Sequence, residues 1–216
     1  MLREGESIRR LVELVLELGS EEGKRSRKAS ARSFARTEIL LHAMSVFNQQ
    51  GLEETSVQDL LDAANISRRT FYKYFSSKID VLENIYNLAS RVMVARFESE
   101  LPAFATRDAF IDGFLAIYFD YQLSVGRIIG LMMEEALRSA SPLAAHRRVM
   151  LDKVTVILQR EFARLGMPAV PYWQLMGLLW ALEGASLQLL SGPALTAADM
   201  AACRRGMQAL WEQALP

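Results

Sequence analysis

One cysteine, Cys203, and two histidines far apart in the chain, His42 and His146, leave little redox or metal chemistry to build on. A lone thiol cannot form a disulfide within its own chain, and no Cys/His cluster has metal-ligand spacing. Net charge is lacking too, with 25 basic residues against 25 acidic ones. Neutrality excludes a uniformly cationic chain, but not the local basic stripe that nucleic acid requires. No apolar run reaches the length of a membrane span. Residues 1–19 do not read as a secretory signal, because Glu4, Glu6, Arg9, Arg10, Glu13 and Glu17 interrupt every apolar stretch. The expected compartment is therefore the cytosol. Catalytic patterns are missing as well: there is no Ser/His/acid order and no glycine-rich phosphate loop. Glu53-Glu54 and Glu134-Glu135 are adjacent pairs, which point to different sides of a helix. An enzyme is not expected, and no cofactor or metal is implied.

What is present is apolar and helical. The chain has 216 residues, 51% of them hydrophobic, enough for a real core and within reach of two domains. Ile8, Leu11, Val12, Val15 and Leu18 recur at helical spacing, and Gly19 ends that segment. The polar, serine-rich stretch 20–33 has no periodicity and reads as a flexible arm. From Lys24 to Arg36 the chain carries Lys24, Arg25, Arg27, Lys28, Arg32 and Arg36 with no acid. A helix is expected over 34–50, with Ile39, Leu40, Ala43, Val46 and Phe47 on one side and Gly51 as its stop. Ser56 with Asp59 forms a capping box for a short helix that turns Val57, Leu60 and Leu61 inward. Asn65 suits a left-handed turn position, and Ser67 and Ser77 are N-caps, the latter opening a long helix toward Glu100. Pro102 lies just past its end. Further breaks fall at 102–106, 124–126, 139–142, 166–171 and 191–196, and Thr196 with Asp199 is another capping box. Sustained period-2 alternation is absent, so the expected class is all-α without a sheet.

The chemistry concentrates between Ser56 and Lys78. Three helices with a short turn between the second and third make a helix-turn-helix, whose third helix enters the major groove of a duplex. The segment 66–78 is expected to form roughly three turns of helix. Phe71 and Phe75, four apart, share a face and anchor it, while Arg68, Arg69 and Lys73 fall on the outward side. Arginine can donate two parallel hydrogen bonds to guanine, which makes Arg68 and Arg69 the leading base-edge candidates. Tyr72, Lys73 and Tyr74 could reach phosphates, and Lys78 would sit at the first turn of the next helix, where free N–H groups favour an anion. A basic amphipathic helix alone is commonly a solvated face. The turn, the caps and the apolar anchors together favour DNA.

The stretch 34–82 resembles the N-terminal domain of tetracycline-repressor (TetR) family transcriptional regulators. The matching residues are Ile39-Leu40-Leu41-His42-Ala43, Phe47, Gly51, Thr55-Ser56-Val57, Ala63-Ala64-Asn65-Ile66-Ser67, Thr70-Phe71-Tyr72-Lys73-Tyr74-Phe75 and Ser77-Lys78 with Leu82. The resemblance implies a recognition helix carrying Arg68, Arg69, Thr70, Tyr72, Lys73 and Tyr74. It also implies a phosphate contact from Lys78 and further contacts from Thr55, Ser56 and Gln58. Two departures stand out: Leu61 occupies a position usually held by a small alanine, and the extension 1–33 is longer than the family norm. That extension reads equally as a minor-groove arm or as a plain tail.

The implied organisation is an extension over 1–33, a DNA-binding domain over 34–82 and a helical effector-binding and dimerisation domain over 83–216. Met93, Phe97, Phe110, Phe114, Tyr118, Met132, Met133, Trp173, Met176 and Trp180 are candidates to line a ligand cavity. Tyr118, Tyr121, Arg127, Glu134 and Glu135 are candidate polar contacts; taken singly, each of these residues reads first as ordinary core, surface or structural group, and it is the family resemblance that implies a ligand cavity. Gly177, Ala181, Gly184 and Ala185 form a small-residue face that Leu178, Leu182, Leu189, Met207, Leu210 and Trp211 could surround. Since the family pairs through its last two helices, a twofold homodimer is expected. The leading reading is a repressor released from a palindromic operator by a small apolar or amphipathic effector. An activator or an effector-independent regulator of the same fold stays open, as does a helical small-molecule or lipid carrier without a DNA role. A redox role for Cys203 would need an activated thiolate.

Overall fold

A computed structural model describes residues 27–190 and 196–216. Among the described residues there are nine α-helices, one short 3-10 turn and no strand. They are α1 (Arg27–Glu54), α2 (Val57–Ala64), α3 (Arg68–Tyr72), α4 (Lys78–Glu100), the 3-10 turn Leu101–Ala103, α5 (Arg107–Val125), α6 (Arg127–Leu137), α7 (Pro142–Arg164), α8 (Tyr172–Leu190) and α9 (Ala197–Ala214). The all-α expectation holds. The helix expected near 7–18 and the arm as far as residue 26 lie outside the described residues. The rest of that arm does not match the expectation, because α1 begins at Arg27 rather than at Phe34. Residues 27–36 contain no glycine or proline, so nothing in the sequence halts helix growth toward the N-terminus.

The chain divides into two compact units: residues up to Ala89 with Ser124–Met132, and Ser90–Leu123 with Met133–Pro216. In the first unit, α1 presents Ile39, Leu40, Ala43, Met44 and Phe47 at helical spacing, all nearly inaccessible to solvent. Leu60 and Leu61 of α2, Phe71, Phe75, and Val81, Leu82 and Ile85 of α4 complete that core. Leu61 is therefore accommodated as a core residue. The helical path of α1 is broken at Gly51, whose φ of 78° and ψ of 178° lie where a side chain would be strained. The expected stop falls on that residue, and a last turn follows it to Glu54.

The second unit is built on aromatic packing. Phe97 stacks on Phe114 with ring centroids 4.8 Å apart, and Phe114 lies 4.7 Å from Trp211. Phe110 meets Phe162 edge-on at 5.5 Å. Gly113 is required by close approach, since a Cβ there would fall 2.2 Å from the Phe104 ring. The chain end is fastened by Arg107, which donates to the carbonyl oxygens of Leu215 and Pro216 at 2.9 Å each. No described helix is long and apolar enough to cross a membrane.

Candidate nucleic-acid interface

Local hydrogen bonding fixes the corner between α2 and α3. Ser56 caps α2 through the N–H of Asp59, and the Asp59 carboxylate accepts from the Ser56 N–H at 2.7 Å, closing the capping box. Those bonds, the backbone one foremost, hold the Asp59 carboxyl below the usual aspartate range. Asn65 adopts the left-handed conformation, φ 48° and ψ 51°, and its N–H returns to the Asp62 carbonyl at 3.2 Å. Ser67 then caps α3, its Oγ accepting from the Thr70 N–H at 3.1 Å. Ser56, Asn65 and Ser67 thus take the conformations expected from their side chains.

The length of α3 differs from expectation. It spans five residues, Arg68–Tyr72, followed by a turn that places Phe75 back on Phe71 through an N–H to carbonyl bond of 3.0 Å. Phe71 and Phe75 are both buried, with centroids 5.9 Å apart. The regular helix ends where the N–H groups of Lys73 and Tyr74 turn back to the Thr70 and Phe71 carbonyls, at 3.3 and 2.8 Å, in tighter three-residue bonds that periodicity could not reveal.

On the outside of that turn, Arg68, Arg69, Tyr72 and Lys73 are exposed, and Thr70 and Tyr74 are half-exposed. The side chains of Arg68 and Arg69 make no ion pair or hydrogen bond to any described residue, and the Lys73 ammonium lies over the Tyr74 ring, 5.5 Å from its centroid. No acid occurs from Ile66 to Ser77. Three cations without carboxylate partners among the described residues therefore share one short exposed surface. Gln58 is exposed on α2, its amide bonded to Asp62 at 2.8 Å.

Two of the expected contact residues are engaged inside the fold. Thr55 is 1% exposed, and its hydroxyl donates to the Gly51 carbonyl at 2.5 Å. The Lys78 ammonium donates to the carbonyls of Leu52, Glu53 and Thr55 at 2.8, 3.1 and 2.7 Å. All three of its N–H donors face backbone oxygens, so the geometry is that of a strut between the end of α1 and the start of α4. A second tie runs along α4. Asp80 accepts from the Ser76 N–H at 2.7 Å and from the Asn84 amide at 2.8 Å, and Arg36 of α1 donates to Asn84 while lying 5.6 Å over the Phe75 ring.

Residues 39–85 match the family described as bacterial regulatory proteins, tetR family. The chain is 39% identical over 56 residues to the HTH-type transcriptional repressor KstR2 of Rhodococcus jostii (strain RHA1). That match spans 26% of the chain and 28% of the relative. Among solved structures, FadR of Bacillus subtilis in complex with stearoyl-CoA superposes with a TM-score of 0.69 at 16% identity, covering 83% of this chain and 98% of that one. The fatty acid degradation regulator FadR from Bacillus halodurans gives a TM-score of 0.69 at 16% identity over 87% and 95% of the two chains. Residues 39–85 thus match the tetR family over the DNA-binding unit, and the likeness to these solved structures over most of the chain is one of fold.

The candidate ligand residues fall in three kinds of surroundings. Met93, Phe97, Phe110, Phe114, Tyr118 and Met176 are buried in the packed core. Met132 is buried as well, but it falls with the first unit. Trp173 is 71% exposed and Trp180 45% exposed, with centroids 6.2 Å apart on one face of α8. Only Met133 and Trp180 of the expected set reach a cleft of about 310 Å³ between α6, α7 and α8. Its other walls are Leu137, Arg147, Glu183, Gly184 and Leu187. Arg147 and Glu183 form a two-pronged ion pair across α7 and α8, with Nε to Oε1 at 3.1 Å. Burial pushes the Glu183 carboxyl above its ordinary range, and the Arg147 guanidinium only partly offsets this. Sequence reasoning passed over this pair because two charges of opposite sign on separate helices resemble any surface pair.

Of the polar candidates, Tyr121 and Glu135 are buried and Glu134 is exposed, while the side chain of Arg127 lies outside the described residues. Along α8 the small residues Gly177 and Gly184 are exposed, and Ala181 and Ala185 are half-exposed. Leu178, Leu182 and Trp211 turn into the chain's own core rather than surrounding that face. Leu189 and Met207 are half-exposed and Leu210 is exposed. Burial pushes the Cys203 thiol up, which keeps it protonated and works against a reactive thiolate.

Proposed function

We propose that this regulator is a repressor that grips a palindromic DNA operator as a twofold dimer and releases it when an apolar or amphipathic ligand occupies the second unit. The observation that carries the proposal is the cluster of Arg68, Arg69 and Lys73 on one short surface, exposed and without carboxylate partners among the described residues. Unneutralised cations on a firmly capped turn suit a phosphate-lined groove, and forked arginine donors suit guanine edges. In this reading Arg68 and Arg69 read bases. Thr70, Tyr72, Lys73 and Tyr74 hold the backbone, with Ser56 and Gln58 assisting from α2. Thr55 and Lys78 act from within, by fixing the corner on which α3 stands.

A duplex palindrome needs two recognition helices, which a twofold dimer supplies. The exposed face of α8 supports such pairing: Trp173, Gly177, Trp180 and Gly184 recur at helical spacing, and contiguous exposed apolar surface marks an interface. Ala202, Gly206 and Ala209 give α9 a similarly small exposed face. Ligand response is supported by the cleft in the second unit and by the stearoyl-CoA held by the B. subtilis neighbour of the same fold. By linkage, the effector binds the free form more tightly than the DNA-bound form, with a coupling of about 1–3 kcal/mol typical of such systems. The protein works in the cytoplasm, where the operator is.

Selection from a random duplex pool by the full chain tests this function. An enriched inverted repeat, released by some member of an amphiphile panel, is the expected result. An enriched repeat that no compound releases would favour an effector-independent regulator, and no enrichment at all would favour a ligand carrier.

A further inference from the structure

The cleft between α6, α7 and α8 has an unusual inner boundary. Met133 lines it, and the Met133 sulfur also receives the Gln122 amide N–H of α5 at 3.8 Å. Gln122 is 3% exposed, and its Oε1 has no hydrogen-bond partner among the described residues. On α8, Ser186 is 1% exposed with its Oγ equally unpartnered. It stands three residues from Glu183 and next to Leu187, both of which line the cleft. Two buried oxygens without donors are costly, and such groups ordinarily signal a missing water or ligand. Methionine is the side chain best able to swing aside, being unbranched with three rotatable bonds.

The geometry points to a ligand site that begins at the cleft and continues past Met133 to Gln122 and Ser186, shaped for a neutral amphipathic molecule whose head donates a hydrogen bond. It rests on the reading that the second unit takes an effector, and it names the chemistry of that effector. The apolar body lies against Leu137, Trp180 and Leu187. Met133 rotates to admit the head, which donates to Gln122 Oε1 or Ser186 Oγ. The Arg147–Glu183 pair at the rim has no net charge. A carboxylate head meets Glu183 and an ammonium head meets Arg147, so either ion is disfavoured relative to a hydroxyl. A volume of about 310 Å³ is at the small end for such sites, in keeping with a single-chain or single-ring ligand.

The test compares 1-decanol with its isostere 1-methoxynonane, which accepts a hydrogen bond but cannot donate one, together with decanoate and decylammonium. Binding to the full chain is followed by tryptophan fluorescence, since Trp180 lines the cleft. The alcohol is expected to bind about tenfold more tightly than the ether, the worth of one hydrogen bond to a buried acceptor, and more tightly than either ion. In Gln122→Leu or Ser186→Ala that preference narrows while the ether still binds, and Met133→Phe weakens both. Equal affinity for alcohol and ether in the native chain overturns the proposal, as does a preference that survives in both the Gln122 and Ser186 variants. Absence of saturable alcohol binding also overturns it. If duplex selection still succeeds in that case, only this site fails; if selection fails while the alcohol binds, only the regulatory reading fails.

Discussion

The Lys78 ammonium donates to the Thr55 carbonyl at 2.7 Å, joining the first residue of α4 to the residue that precedes the α2 capping box. With the further bonds to Leu52 and Glu53, this lysine neutralises the carbonyls left open where α1 ends. These bonds lead to the expectation that it acts on α3 through the position of α2 rather than through a phosphate. Lys78→Met should therefore lower thermal stability by about 1.5–3 kcal/mol, the scale of hydrogen bonds to a charged group. Affinity for all duplexes should fall in parallel, while the slope of log affinity against log salt stays as in the native chain. A slope reduced by about one with unchanged melting would instead identify a phosphate contact.

Arg68 and Arg69 should behave differently, because no described residue holds their side chains by an ion pair or hydrogen bond. Arg68→Ala and Arg69→Ala should leave melting unchanged within about 0.5 kcal/mol. Each should cost about 1–3 kcal/mol of operator affinity and relax preference at one base position. Competition binding against single-base operator variants checks this, and preference retained in both variants rejects the assignment.

The capping box makes α2 sensitive to acid. Because hydrogen bonding holds the Asp59 carboxyl below its ordinary value of 3.8, its contribution is present above that value and is lost as pH falls through the lowered one. The native chain should lose stability on strong acidification more steeply than Asp59→Asn, measured by circular dichroism melts across the acid range.

Glu183 has the opposite sign. Its carboxyl is raised above the ordinary 4.5 by burial, so the folded state holds that proton more tightly than the unfolded state does. As pH falls from neutral toward 4.5, the native chain should gain stability relative to Glu183→Gln, the gain being complete below that value. A constant difference between the two proteins over this range would show that Arg147 compensates the burial fully.

Gly177 separates chain stability from pairing. A Cβ at this position meets nothing within 4 Å, so the chain itself has room for a side chain. Gly177→Arg should preserve or raise the helix content of α8, since glycine is the weaker helix former, yet obstruct close approach of a partner helix. Sedimentation equilibrium should show a dimer for the native chain and a monomer for the variant. Two identical dimers would remove the α8 face from the interface.

Much of the DNA-binding unit was legible because each feature is local. Ser56 with Asp59, Asn65, Ser67 and Gly51 set backbone geometry within a few residues, and Phe71 and Phe75 declare a shared face by spacing. The length of α3 was not legible, since the tightening of its last turn at Lys73 and Tyr74 leaves the apolar spacing of Phe71 and Phe75 unchanged. The internal bonds of Lys78 were not legible either: its partners Leu52, Glu53 and Thr55 lie far back in the chain, and a lysine at a helix start reads first as an anion contact. In the second unit, leucine, methionine and aromatic residues recur on every face. Sequence could not separate the packed Phe97–Phe114–Trp211 stack from a cavity wall, nor see that Trp173 faces outward.

The most direct test is a fluorescence anisotropy titration of the full native chain against the selected inverted repeat and a scrambled duplex at physiological salt. The expected result is saturation at two chains per duplex, with a preference of about a thousandfold or more for the repeat. Equal affinity for the two duplexes, or binding to neither, would contradict the claim that the α2–α3 corner reads DNA.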